Sequence, residues 1–264
     1  MNPSCTPGAM LPNKTATTAP RRVGASALVL VTLVLAGCAS GPRASPNDPL
    51  EPYNRSMTQF NDAVDAALLK PVATAYQQVT PVPVRTGVSN FFANLGDAWS
   101  FVNNTLQLDV EGAVSSFFRF NINTLMGLGG VLDVASEMGI ERHQQDFGLT
   151  LGRWGMPPGP YLVLPILGPS TVRDTLALPV DMRGNLARYV DPVSARNSLY
   201  VLRAVDVRAN LLRAGEVLDG AALDKYSFMR DVFLQVRQQR AHEVTHRDVP
   251  TNGDEGRLPP EPER

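Results

Sequence analysis

The stretch GPYLVLPILGPSTVRD, from Gly159 to Asp174, limits what this chain can fold into more than any other. Tyr161, Leu162, Val163, Leu164, Ile166 and Leu167 sit almost side by side. Pro160, Pro165 and Pro169 interrupt them, and Gly159 and Gly168 bracket them. Pro165 blocks a regular helix, and a central strand would lose a ladder hydrogen bond there. Leaving the aliphatic side chains in water forgoes roughly 1.5–3 kcal/mol each, about 10 kcal/mol in sum. That is comparable with the whole stability of a typical domain. An irregular apolar segment of this kind needs a core, or another apolar medium, to receive it.

The N-terminus points to such a medium. Arg21 and Arg22 precede the apolar run ALVLVTLVLAGC, which ends at Cys38. A basic flank, a short apolar core and small residues before a break make a secretory signal over residues 1–37. The run is too short for a comfortable transmembrane span. Leu35-Ala36-Gly37-Cys38 has the form of a bacterial lipobox, in which the Cys38 thiol takes a diacylglycerol and cleavage precedes the Cys. Each buried methylene of the acyl chains contributes about 0.8 kcal/mol, so several chains anchor a protein in practice permanently. No Asp follows Cys38, which directs the chain to the outer membrane, facing the periplasm. Either Met1 or Met10 can start the chain. With Cys5 in the leader and Cys38 acylated, no disulfide or thiol chemistry is expected in the mature fold. The 24 Lys and Arg against 25 Asp and Glu give a net charge of −1, and loss of Lys14, Arg21 and Arg22 with the leader gives −4. That balance leaves no electrostatic footprint for nucleic acid.

Residues 38–47 read as the acylated Cys and a Pro/Ser-rich tether, 48–244 as one folded domain, and 245–264 as a disordered polar tail. The interior is mainly α. Tyr53, Met57, Phe60, Val64 and Leu68 recur at helical spacing, with Pro71 expected to end that helix. Similar stripes run over 88–108 and over 110–126, the second stopped by the Gly127–Gly130 cluster, which fits close packing or a sharp turn. Asp191-Pro192 reads as an N-cap and first helical residue of a helix reaching about Ala214. A last helix is expected over 223–244.

HEVTH, from His242 to His246, fits the HExxH zinc pattern. A catalytic zinc also needs a third protein ligand on a packed scaffold. No His follows His246, and the flanking QVRQQRAHEVTHRD is polar almost all round, as a solvated helix end would be. No GxSxG elbow, P-loop or Cys/His cluster is present, so no catalytic or metal residue and no cofactor is assigned, and the chain is read as a non-enzyme.

The sequence resembles the MlaA (VacJ) family of outer-membrane lipoproteins. The blocks that carry the resemblance are DPLEPYNRSMTQFN (48–61), RFNINTLMGLGGVLDVA (119–135), DFGLTLGRWG (146–155) and GPYLVLPILGPSTVRD (159–174). Two positions depart from the family pattern. Leu149 replaces a common polar residue, and Leu108 stands where a Gly is expected. The resemblance implies a single helical ring in the inner leaflet of the outer membrane, lipid-anchored at Cys38. It implies that phospholipids which have strayed into the outer leaflet pass through the ring toward a periplasmic lipid-carrier protein. Trimeric porins would hold the ring in place, and lipid asymmetry would be the result. A non-transporting lipoprotein that scaffolds porins is the alternative.

On this resemblance, Gly159, Tyr161, Leu162, Val163, Leu164, Pro165, Ile166, Leu167 and Gly168 form the hairpin beside the lipid channel. Gly155, Gly159 and Gly168 serve as hinges or tight turns. The other reading of the segment is a plug of a hydrophobic core. Tyr53, Met57 and Phe60, close behind the tether, are expected either at the membrane interface or in core packing. Arg173 and Asp174 either meet headgroups at the channel rim or pair with each other and solvent.

Overall fold

The computed structural model describes residues 48–221 and 224–247. The expected leader, Cys38, the expected tether and the expected tail from 248 onward lie outside the described residues. Helix α1 (Glu51–Val64) runs through a π turn (Asp65–Leu69) into α2 (Lys70–Val79). The helix therefore does not end at Pro71. Pro71 has no N–H to donate, and the π turn just before it absorbs the mismatch in the ladder. Two longer helices follow, α3 (Val82–Leu106) and α4 (Val110–Leu125), then the short α5 (Val134–Glu137) and α6 (Phe147–Arg153). Asp109, Asp133 and Asp146 cap α4, α5 and α6, accepting from the amides of Gly112 (3.0 Å), Ser136 (3.3 Å) and Leu149 (2.9 Å). Each such cap is worth about 1 kcal/mol.

What the prolines leave of the 159–174 segment is an ordered antiparallel hairpin, β1 (Tyr161–Leu164) and β2 (Gly168–Thr171). Thr171 caps α7 (Val172–Gly184), so the second strand feeds straight into a helix. A 3₁₀ turn (Leu186–Tyr189) leads to α8 (Val193–Asn210), α9 (Leu212–Ala221) and α10 (Lys225–Arg247). Asp191 does not cap α8. Pro192 holds the N-cap position in extended backbone without a side-chain bond, which leaves Asp191 one residue too early. The chain breaks at Leu211 rather than continuing to Ala214. At the other end, α10 reaches Arg247, into the first residues of the expected tail.

Contacts between elements close a circuit. Helix α1 packs on β1, β2 on α7 and α10, α7 on α6, α6 on α3, α3 on α8, and α8 on α2, the continuation of α1. The result is a mainly helical ring with the hairpin as one of its links.

The ring is inverted with respect to a water-soluble protein. Among the described residues, buried polar side chains outnumber buried apolar ones. The largest fully buried side chains include Arg119, Asn54, Asn94, Asn103, Asn104 and Asn123. On α4 the buried positions Gly112, Ser116, Arg119 and Asn123 form a helical stripe, while Val110, Val114, Phe117, Phe118 and Leu125 lie on the exposed side. Helix α3 repeats this, with Asn94, Asp97, Ser100, Asn103 and Asn104 inside and Phe101, Val102 and Leu106 outside. Leu108 and Leu125 are each 81 % exposed and Leu128 is 75 % exposed. An apolar surface this extensive marks contact with something other than water. None of the described helices is long and apolar enough to cross a membrane.

The buried charges at the centre of α3 and α4 are paired, as they must be. Arg119 is 1 % exposed and donates to both carboxylate oxygens of Asp133, at 2.7 and 2.8 Å, and to Asp97 at 3.4 Å. Arg142 reaches the same two acids at 3.2 and 3.3 Å. Burial pushes the Asp97 carboxyl above its usual range despite these two arginines. Burial also acts on Asp133, but hydrogen bonds from Ser136, Asn123 and Arg119 outweigh it and hold that carboxyl at about 2.

Candidate functional site: the apolar hairpin

The hairpin turns through a three-residue loop. The Leu167 amide donates to the Pro165 carbonyl at 2.7 Å, and Ile166 between them has φ +65. This is a γ-turn of the rare, strained kind. Pro165 sits just past β1, where no ladder bond is required of it. Pro169 faces Val163 across the pair, but the Val163 amide points away from β2, so the missing N–H of Pro169 costs no ladder bond. Gly155, Gly159 and Gly168 have φ of +96, +67 and +81, backbone that favours glycine at each position.

The free edge of β1 is closed by two asparagines of α1, seven residues apart and so on one face of the helix. Asn54 donates to the Tyr161 carbonyl at 3.0 Å and accepts from the Val163 amide at 2.8 Å. Asn61 donates to the Leu164 carbonyl at 2.9 Å and accepts from the Ile166 amide at 2.7 Å. Each carboxamide thus does for the edge what a neighbouring strand residue would do. An open sheet edge is not tolerated in hydrocarbon, and here side chains close it. Residue-type reasoning alone missed this pair. The available signal was the spacing of two Asn within NRSMTQFN, one helical face, ahead of an isolated apolar segment.

Strand alternation splits the apolar side chains. Tyr161 and Val163 are buried against Tyr226, with Met57, Phe233 and Leu234 packed around them. Leu162 and Leu164 are half-buried, and at the tip Ile166 is 69 % exposed with Leu167 and Pro165 also exposed. One side of the segment fills a core, and its tip does not. Of the expected interface residues, Met57 joins the core, Tyr53 is half-buried and Phe60 is exposed.

Arg173 and Asp174 pair with each other at 3.2 Å, yet both are turned inward. Arg237 of α10 donates to Asp174 at 2.7 Å and to Asp146 at 3.1 Å. Burial acts to raise the Asp146 carboxyl, but Arg237 outweighs it and holds it below its usual range. The cluster braces α6, α7 and α10 behind the hairpin. Asp48, the first described residue, is fully buried and accepts from Tyr226, from Arg230 at 3.2 Å and from Asn54 at 3.3 Å. The start of the described fold is therefore fixed to both α1 and α10. His242, Glu243 and His246 lie on α10, and their side chains fall outside the described residues.

A family model described as MlaA lipoprotein matches residues 46–240. The chain is 36 % identical over 222 residues to the intermembrane phospholipid transport system lipoprotein MlaA of Escherichia coli K12, a match that spans 80 % of this chain and 85 % of that one. The Haemophilus influenzae lipoprotein of the same name is 34 % identical over 229 residues, spanning 81 % of this chain and 89 % of the relative. A solved structure reported under the words "Structural basis for maintenance of bacterial outer membrane lipid asymmetry" superposes with a TM-score of 0.61 at 34 % identity, over 74 % of this chain and 98 % of the other. With the inverted ring, the clamped hairpin and these likenesses together, the chain belongs to the MlaA lipoprotein family.

Proposed function

We propose that this protein is an outer-membrane lipoprotein of phospholipid transport, anchored through acylated Cys38 on the periplasmic side. It passes phospholipids that have strayed into the outer leaflet toward a periplasmic lipid carrier, while a trimeric porin holds it in place. Lipid asymmetry of the outer membrane is the outcome. The observation that carries this reading is the inverted surface: apolar side chains outward, paired polar side chains inward. A polar headgroup dragged alone through hydrocarbon costs several kcal/mol for each unsatisfied group. The apolar outside seats the ring in hydrocarbon, the buried polar network keeps its interior closed to lipid tails, and the likeness to phospholipid transport lipoproteins supports headgroup passage through the ring. The hairpin flanks the path, its exposed Ile166 and Leu167 matching acyl chains. Positive-φ glycines at Gly159 and Gly168 let it move, and the Asn54 and Asn61 carboxamides hold its resting position. The chain makes and breaks no bond in this reading.

The test is the amount of phospholipid exposed in the outer leaflet of cells with the protein, without it, and with residues 159–168 replaced by a Gly/Ser linker. Protein abundance and membrane localisation are followed in the same samples. Exposed phospholipid should rise in both altered strains while the linker variant stays anchored and abundant. No rise in either strain overturns transport. A rise only on deletion favours a scaffold that needs no hairpin.

A further inference from the structure

Several arginines of the ring are committed to carboxylates. Arg55 holds Asp224, Arg119 holds Asp133, Arg173 holds Asp174, Arg208 holds Asp65, and Arg237 holds Asp146. The stretch from the end of α7 through α8 is different. Arg183, Arg188 and Arg203 are exposed and Arg196 is half-exposed, and among the described residues none of the four has a carboxylate partner. Acids on the same stretch do not balance them. Asp181 accepts from Trp99 and from the Phe147 amide, and Asp206 is buried against Ser89 and Asn210. Only Asp191 is exposed there.

The elements that carry the four are packed together. The 3₁₀ turn carrying Arg188 packs on both α7 and α8, and the Tyr189 hydroxyl donates to the Arg183 carbonyl at 2.9 Å. On α8, Arg196, Tyr200, Arg203 and Val207 recur four, three and four residues apart, which is one helical face. The opposite face, with Val205, Asp206 and Ala209, is the buried one. The outward face therefore interleaves unpaired guanidinium groups with exposed tyrosine and valine side chains.

We infer that this face is a binding surface for the anionic phosphate headgroups of a lipid bilayer, and that it seats the ring at a fixed depth and tilt. The inference rests on the membrane reading above and adds the headgroup charge and the face that reads it. A guanidinium matches phosphate in a two-pronged fashion that an ammonium cannot. Tyrosine rings sit at headgroup level, and long basic side chains lay their stems on apolar surface while the charge stays in water. An acidic protein partner would need only the charges. The valines and tyrosines set among them are what a bilayer surface uses.

The test uses the full-length acylated protein reconstituted in bilayers of phosphatidylethanolamine with a minority of phosphatidylglycerol. Spin-labelled lipids of each type report which one the protein enriches at its surface. The comparison protein carries Arg183→Gln, Arg188→Gln, Arg196→Gln and Arg203→Gln, all on water-accessible positions. Each basic residue near a charged surface contributes about 1 kcal/mol, so the wild type should favour the anionic lipid at least about fivefold at low salt. That preference should fall to about equal at 0.5 M salt and in the variant. Equal enrichment by wild type and variant overturns the inference while the membrane reading stands. Unchanged lipid preference, together with loss of porin when the variant is purified from outer membranes, also overturns it and makes the face a protein interface. If the wild type washes off the bilayer altogether, the membrane reading itself fails.

Discussion

Leu108 has φ +60 and a side chain 81 % exposed, at the position where family resemblance leads one to expect Gly. Left-handed backbone costs a side-chain-bearing residue roughly 1–2 kcal/mol. Glycine gives back about 0.5–1 kcal/mol through the freedom it gains in the unfolded chain. The balance predicts that Leu108→Gly stabilises the protein by about 0.5–1 kcal/mol in detergent, read by chemical denaturation. A destabilised variant would show that the leucine side chain packs on something after all. Asp133 makes the opposite case. Asp133→Asn leaves buried Arg119 with Asp97 as its remaining carboxylate beside the Ile140 carbonyl, and breaking such a pair costs about 3 kcal/mol or more. The folded Asp133 carboxyl is lowered to about 2, so its contribution is complete above about pH 4 and is lost as the pH falls toward 2. The stability gap between wild type and variant should therefore narrow over that window and stay constant above it.

The hairpin and α1 work as one element pair. Removing the Asn61 carboxamide by Asn61→Leu frees the Leu164 carbonyl and the Ile166 amide together. An unsatisfied group costs about 1–3 kcal/mol, so amide exchange at Ile166 should speed by roughly 10- to 100-fold. Val163, held by Asn54, should keep its protection. Equal loss at both sites would mean that the hairpin opens as a unit. Much of the element plan could be read from residue types: the stripes over 88–108 and 110–126 are α3 and α4, and the proline-broken segment holds the one sheet among the described residues. Periodicity gives the phase of a helix but not which side is wet, so the outward turn of Val114, Phe117 and Leu125 was not legible. Pro71 misled because a π turn can carry a helix past a proline. The carboxamide clamp stayed hidden because it joins residues more than a hundred positions apart. Residue type also could not show that Arg173 and Asp174 face inward, since their third partner, Arg237, comes from α10.

Taken as a whole molecule, the ring buries a network of charged and amide side chains and presents leucine, valine and phenylalanine outside, without a helix that crosses a bilayer among the described residues. An apolar outer surface of this extent fits a protein whose outside lies in hydrocarbon. It predicts that α4 and the loop after it lie in hydrocarbon. The most direct measurement places a spin label at Leu125→Cys or Leu128→Cys, with Glu141→Cys as a polar control, in protein reconstituted in bilayers. Collision rates with oxygen, which concentrates in hydrocarbon, are compared with those of a water-soluble nickel complex. The inverted-ring account predicts oxygen-dominated collisions at 125 and 128 and nickel-dominated collisions at 141. Nickel-dominated collisions at 125 and 128 would contradict it, because the apolar surface would then face water or a polar partner.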